Sequence, residues 1–172
     1  MDETKIAQKA IQGDEEAFVI LMHIHKEALL RTALAFLKNE HDALEALQET
    51  TYRALKKIHT LKEPSYAKTW LIRIMINYCQ DQLKKDKRFL QSGNDIDSAV
   101  SDDLTHIELQ EALNALSRTD QQLIYMKYFQ DIKIKDIAII EKIPEGTVKS
   151  RLHKTLRTLR NYFEDKGEID HV

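Results

Sequence analysis

The chain has 172 residues, 42% of them hydrophobic and 31% charged. That is the composition of a folded protein, with room for one large domain or two small ones. Four Gly and two Pro are too few for the many tight turns of a sandwich, a barrel or a glycine-rich phosphate cradle, so an all-α fold is expected. No apolar run approaches the roughly 20 residues that cross a bilayer. Met1 to Lys5 lacks the basic-then-apolar pattern of a signal peptide, and the single Cys79 can close neither an internal disulfide nor a cysteine-rich zinc site. The expected location is the cytoplasm.

The formal net charge of −2 hides opposite blocks. Lys149 to Arg160 holds five basic residues and no acid, and Lys84 to Arg88 holds four basic residues and one acid. Between them, Asn94 to Glu111 carries six acids and no Lys or Arg. Two cationic patches around an anionic spacer suggest two contacts with one polyanion, although solvated helix faces would also carry such charges.

In chain order, Gly13 and Asp14 separate a short helix over Ile6–Gln12 from a long one in which Phe18, Leu21, Met22 and Leu29 recur at helical spacing. Asn39, with Asp42 three residues on, reads as a capped restart. The following helix is expected to turn Leu44, Leu47, Leu55 and Ile58 inward and Glu45, Glu49 and Arg53 outward. Pro64 removes Glu63 from the helical region, and Ser65 is the expected N-cap of the next helix. That helix shows an apolar stripe of Trp70, Leu71, Ile74, Met75 and Tyr78 and ends in Lys84–Arg88. Trp70 is read as core, and Tyr66 as the exposed aromatic.

Residues 91–103 lose all periodicity and read as a flexible acidic linker between small helical domains at 1–90 and 104–172. Its thirteen residues reach roughly 45 Å when extended. Beyond it, Leu104–Leu116 is helical, and Ser117 with Asp120 starts a helix through Tyr128. Gln130-Asp131 is a turn. Ile132–Lys135 alternates over four residues, but Ile134, Ile137 and Ala138 share a helical face, so helix is preferred. A turn over Glu141–Pro144 leads to a last helix with Val148, Leu152, Leu156, Leu159 and Phe163 inward.

A short helix, a tight turn and a second helix with basic residues outward is the helix-turn-helix plan. Lys149, Ser150, His153 and Lys154 would face base edges and phosphates, and Arg151, Arg157 and Arg160 phosphates. Here the sequence resembles a family. Pro144–Lys154 (PEGTVKSRLHK) resembles the region 4 signature of bacterial sigma factors of the extracytoplasmic-function group. Asp42–Thr50 resembles the acidic helix of region 2 that docks on the polymerase core, and Lys68–Asn77 with the basic end Lys84–Arg88 resembles the tract that follows it.

The resemblance implies a dissociable promoter-specificity subunit that binds core RNA polymerase and promoter DNA, is itself no enzyme, and is held silent by an anti-sigma factor, often a membrane-tethered one. It places Asp42, Glu45, Gln48 and Glu49 against the polymerase core. The segment Leu61–Thr69 would capture a flipped base of the minus-ten element, and Tyr66, Lys68, Arg73, Asn77, Lys84, Lys85 and Arg88 would serve that strand. Lys149, Ser150, Arg151, His153, Lys154 and Arg157 would serve the minus-thirty-five element. The sequence departs from the family pattern at Leu44, where an acid is usual, at Glu45, where Asp is usual, and at Lys142, where Gly is common. Two rival readings are a helix-turn-helix regulator acting without polymerase and, from His41-Asp42, a metal-dependent HD phosphohydrolase. His23 and His25 fall on different helix faces. No metal site and no cofactor is expected.

Overall fold

The computed structural model describes residues 2–92 and 104–169, with side chains over 2–86 and 108–165. Among the described residues all regular structure is helical. The chain divides into two compact units, Met1–Asn94 and Asp95–Val172.

In the first unit, α1 (Glu3–Ile11) starts at Asp2, whose carboxylate accepts from the Thr4 amide, and ends before Gly13 at φ +102°. A glycine takes that backbone without the Cβ clash. Asp14 then accepts from the Ala17 amide at 3.1 Å and starts α2 (Glu15–Leu37), which buries Phe18, Leu21, Met22 and Leu29 as expected. Asn39 caps α3 (Glu40–Lys57) in both directions. Its Oδ1 accepts from the Asp42 amide at 2.8 Å, and its Nδ2 donates to Asp42 Oδ2 at 2.6 Å.

The face that α3 buries is not the predicted one. Ala43, Ala46, Thr50 and Ala54 point inward, while Leu44 (45% exposed) and Leu55 (49%) face solvent. Leu47 is half-buried and Ile58 is buried. Small side chains let α3 approach α2 and α4 closely, a packing that leucines at those positions would prevent. Thr50 joins this seam by donating its hydroxyl to Met75 Sδ at 3.5 Å.

Two short 3₁₀ turns, Ile58–Thr60 and Pro64–Tyr66, lead into α4 (Ala67–Ser92). Glu63 is extended, as Pro64 requires. Ser65 is not a helix cap: it lies inside the second turn and donates to Glu63 Oε1 at 3.3 Å. The buried stripe of α4 is Leu71, Ile72, Met75, Ile76 and Cys79, with Trp70, Ile74 and Tyr78 half-buried at its margins. The helix continues to Ser92, so the first two residues assigned to the linker are helical, and 93–103 lie outside the described residues.

The second unit holds α5 (Leu104–Asn114), α6 (Arg118–Ile124), α7 (Ile134–Glu141) and α8 (Glu145–Ile169). Ser117 caps α6 by accepting from the Asp120 amide at 3.2 Å. The expected continuation to Tyr128 widens into a π turn over Tyr125–Phe129, closed by the Gln130 amide on the Tyr125 carbonyl at 3.1 Å. The two rings stack at 4.5 Å. Ile132 is buried ahead of α7, which starts only at Ile134, so the Ile132–Lys135 tract is helical in its second half.

Lys142 stops α7 in the left-handed region at φ 57°, and Pro144 accepts the first amides of α8. Val148 and Leu152 are buried as predicted, but Thr155 takes the next inward place and Leu156 is exposed. A buried threonine is tolerated because its hydroxyl donates to the Arg151 carbonyl at 2.7 Å. Leu159 and Phe163 are half-buried.

A non-glycine residue in the left-handed region is strained by roughly 1–2 kcal/mol. Lys142→Gly is therefore expected to stabilise the second unit by about 1 kcal/mol, after the added freedom of the unfolded glycine is discounted. An upward shift of that unit's thermal midpoint checks this, and an unchanged or lower midpoint contradicts it.

Candidate nucleic-acid and polymerase interface

Three sets of side chains carry the sequence-based expectations. The first lies on α8, where Lys149, Ser150, Arg151, His153, Lys154 and Arg157 are all exposed. Arg157 Nη2 lies 3.0 Å from His153 Nε2. A guanidinium only donates, so the ring nitrogen accepts. Ser150 donates its hydroxyl back to the Gly146 carbonyl at 2.7 Å, which leaves its lone pairs outward. At Gly146 itself a Cβ would meet nothing within 4 Å, so no neighbour in the fold demands a glycine there. The arrangement is a cationic ridge on an exposed helix at the second position of a helix-turn-helix.

The second set lies along α4. At about 100° per residue, Arg73, Asn77, Lys84 and Arg88 fall within about 60° of one another around the helix, whereas Lys68 and Lys85 lie well outside that arc. Lys68 stands instead on the first turn of α4, and Tyr66, half-buried, closes the preceding 3₁₀ turn. Arg73 and Asn77 are half-buried and each holds an interaction partner, Lys84 and Lys85 are exposed, and the Arg88 side chain lies outside the described residues. The half-buried Trp70 sits at the edge of the same arc as Arg73 and Asn77, so the reading of this ring as plain core is only half right. Its amphipathic surroundings carried no distinct sequence signal.

The third set is on α3. Asp42, Glu45, Gln48 and Glu49 share an arc of about 120° on its outer side. Glu49 pairs with Arg53 at 3.1 Å, and Arg53 lies over the Tyr78 ring at 5.2 Å. The exposed Leu44, Tyr52 and Leu55 flank these acids, so the face is apolar as well as acidic, a feature the sequence reading missed by turning the leucines inward. A cleft of about 230 Å³ between α3 and α4 is lined by Leu37, Asp42, Glu45, Tyr78, Gln82 and Asp86. Burial first, and then the Glu49 and Glu45 carboxylates, push the Tyr78 phenol above its ordinary value. Tyr78 therefore remains a hydrogen-bond donor.

Among the described residues, His41, Asp42 and Glu45 also bring possible metal-ligand atoms within 4.8 Å of one another. His41 and Glu45 are exposed. The group sits on the first turns of α3, where the helix dipole disfavours a cation, and one Asp42 oxygen is already taken by Asn39.

Residues 21–89 match the Sigma-70 region 2 family and residues 106–159 match Sigma-70, region 4. The RNA polymerase sigma factor SigV of Bacillus subtilis (strain 168) is 30% identical over 88% of this chain and 94% of its own. The chain belongs to the sigma-70 family. The ECF RNA polymerase sigma factor SigW of the same organism is 26% identical over 90% of this chain and 92% of its own. The chain is accordingly an alternative sigma factor of the extracytoplasmic-function type, directing transcription initiation.

CnrH, solved in complex with the cytosolic domain of CnrY, superposes with a TM-score of 0.65 at 19% identity, covering 95% of this chain and 97% of that one. RpoE from Bartonella quintana, solved with the anti-sigma factor NepR, superposes at 0.57 with 23% identity, covering 87% and 96%. These two likenesses concern the fold. Region 2 accounts for α3 and most of α2 and α4, region 4 for most of the second unit, and α1 precedes both. A regulator working without polymerase has no need of region 2, and the HD phosphohydrolase reading gains nothing from these relatives. Among the described residues no helix is long and apolar enough to cross a membrane.

Cys79 belongs to the seam that holds region 2 together. Burial pushes its thiol up to about 12, and its sulfur lies 3.7 Å from Met75 Sδ. The thiolate is the reactive form, so at pH 8 the native protein is expected to react with a disulfide reagent at least tenfold more slowly than the urea-unfolded chain. Equal rates in the two states would contradict this burial.

Proposed function

We propose that the two units divide promoter recognition and polymerase docking between them. Within the first unit, a domain over 1–90 docks on core RNA polymerase through the outer face of α3, with Asp42, Glu45, Gln48 and Glu49 as polar contacts and Leu44, Tyr52 and Leu55 as apolar ones. Its segment Leu61–Thr69, with Tyr66 and Lys68, takes a flipped base of the minus-ten element. The arc of Arg73, Asn77, Lys84 and Arg88 then tracks the single strand, with Lys85 on the neighbouring flank. Unstacking a base costs a few kcal/mol, which the pocket and the polymerase contacts must supply together.

Within the second unit, a domain over 104–172 places α8 in the major groove of the minus-thirty-five element. Lys149, His153 and Lys154 face base edges there, and Arg151 and Arg157 face phosphates. Ser150, whose hydroxyl proton is engaged with Gly146, acts as an acceptor. The single observation that carries this division is the presence of a matched region 2 and region 4 in separate compact units.

The protein works in the cytoplasm, as an initiation factor and not an enzyme, and an anti-sigma partner silences it. Support for that partner comes from its fold neighbours, one solved with the anti-sigma factor NepR and one with the cytosolic domain of CnrY.

Run-off transcription with reconstituted holoenzyme on the host genome tests the reading and supplies the promoter sequence; initiation nowhere would overturn it. Lys154→Ala is expected to lower specific initiation about tenfold, the equivalent of one base contact of 1–3 kcal/mol, with core affinity unchanged. Asp42→Ala combined with Glu49→Ala is expected to weaken binding to core polymerase and leave binding of the isolated protein to minus-thirty-five duplex intact. Equal losses of core affinity in the two variants would contradict the division of labour.

A further inference from the structure

The segment proposed to take the minus-ten strand is joined to α3 on one side and α4 on the other, yet it leans on α1, which packs against both 3₁₀ turns. Ile6, Ala7 and Ala10 of α1 are buried, as are Ile58, Leu61 and Ala67 along the segment. This support comes from outside the region 2 match, which begins at residue 21.

The start of α1 rests on a buried imidazole. His25 of α2 is 5% exposed, and its Nε2 lies 2.9 Å from Glu3 Oε1, a polar contact between α2 and the first residue of α1. Its neighbours one turn away on α2, Leu21, Met22, Ala28 and Leu29, are buried and apolar. The charged groups whose fields reach it are Glu3 from α1 and Lys68 from α4. An apolar side chain would fill this position without the cost of burying a polar ring, so packing alone gives no reason for a histidine.

We propose that Glu3 and His25 are positioning residues that pin the start of α1 to α2 and so hold the Leu61–Lys68 segment, on which α1 packs, in the shape that takes the minus-ten strand. The proposal rests on the reading of that segment given above. Burial lowers the His25 value below 6.5, with Lys68 adding to the effect and Glu3 opposing it. The neutral ring is therefore the native form. The sign follows: the unfolded chain binds the proton more readily, so native stability is lost as pH falls from about 6.5 through the lowered value. Protonation places a charge in this buried site, where the cost of desolvation outweighs the attraction of Glu3, and so loosens the start of α1 and the support it gives the segment.

The test uses the full chain and its holoenzyme. Hydrogen exchange at pH 7.5 is read on peptides covering 58–68, with α3 peptides as the internal reference, for Glu3→Ala, Glu3→Asp and His25→Gln. Glu3→Ala is expected to speed exchange of the segment at least threefold with α3 unchanged, and Glu3→Asp to restore at least half of the protection. In holoenzyme, Glu3→Ala lowers initiation at least threefold with core affinity within twofold. Between pH 7.5 and 5.5, wild-type initiation falls at least threefold relative to His25→Gln, which has no proton to gain.

Unchanged exchange in Glu3→Ala overturns the proposal whatever the promoter data show, and so does equal acceleration of α3. A His25→Gln profile that follows wild type overturns the pH dependence and the role of His25 with it. Exchange that responds while initiation does not overturns the positioning role. Tyr66→Ala with Lys68→Ala separates the two layers: wild-type initiation in that variant means that the minus-ten reading itself has failed.

Discussion

The close approach of α3 to α2 and α4 sets the orientation of most of what matters in the first unit. Ala43, Ala46, Thr50 and Ala54 line the seam, and across it stand Leu71, Ile72, Met75, Ile76 and Cys79 of α4. A helix can bury only one stripe in such a contact, so filling it with small residues decides which side chains are left outside. Asp42, Glu45, Gln48 and Glu49 face outward because the alanines face inward. The same rotation exposes Leu44, Tyr52 and Leu55. Apolar surface left in water costs about 25 cal/mol per Å² relative to burial, and three such side chains around one acidic face suit a surface that is covered in an assembly. In covered surfaces of this kind, charged groups set register and partner choice, and apolar residues supply contact area.

In the second unit the turn between α7 and α8 is set by backbone strain at Lys142. Lys142 accepts the left-handed region so that α7 can stop and α8 can restart after Glu141–Pro144. The crossing that results buries Val148 and Leu152 against the preceding helices and leaves Lys149, His153 and Lys154 on the far side. The cationic ridge is thus fixed by an apolar contact one residue away from it, and its charges need no partner inside the protein.

Chain breaks were legible in the sequence because they depend on local chemistry. Asp14, Asn39 and Ser117 do at the amide what a short polar side chain does at any helix start, and Pro64 restricts Glu63 wherever it occurs. Facing was less legible. Reading leucine as the inward residue fails on α3, where the distance between helices, set by partners far along the chain, favours alanine. It fails again at Thr155 and Leu156, where a hydroxyl satisfied by its own helix removes the usual cost of burying threonine. The π turn at Tyr125–Phe129 has no periodic signature at all, since it adds one residue to a turn of otherwise ordinary helix formers. The residues matching the family motifs were named from the sequence, whereas their grouping into arcs and the half-exposed edge of Trp70 emerge only once α4 is built.

The helix least visible to a family comparison is α1, which precedes both matched regions yet supports the turns between α3 and α4. A loop with the proposed task of taking a base gains little from stabilising itself, because contacts within the loop resist opening and closing equally. Support from a separate element leaves the loop short and sets its resting shape from outside. Ile6, Ala7 and Ala10 provide that support by burial, and the Glu3–His25 contact fixes where along α2 the support begins. The hydrophobic effect is itself non-directional, so small side chains such as Ala7 and Ala10 leave more room to slide than a carboxylate placed 2.9 Å from one ring nitrogen. A buried polar contact at the end of an otherwise apolar helix therefore acts on position more than on stability.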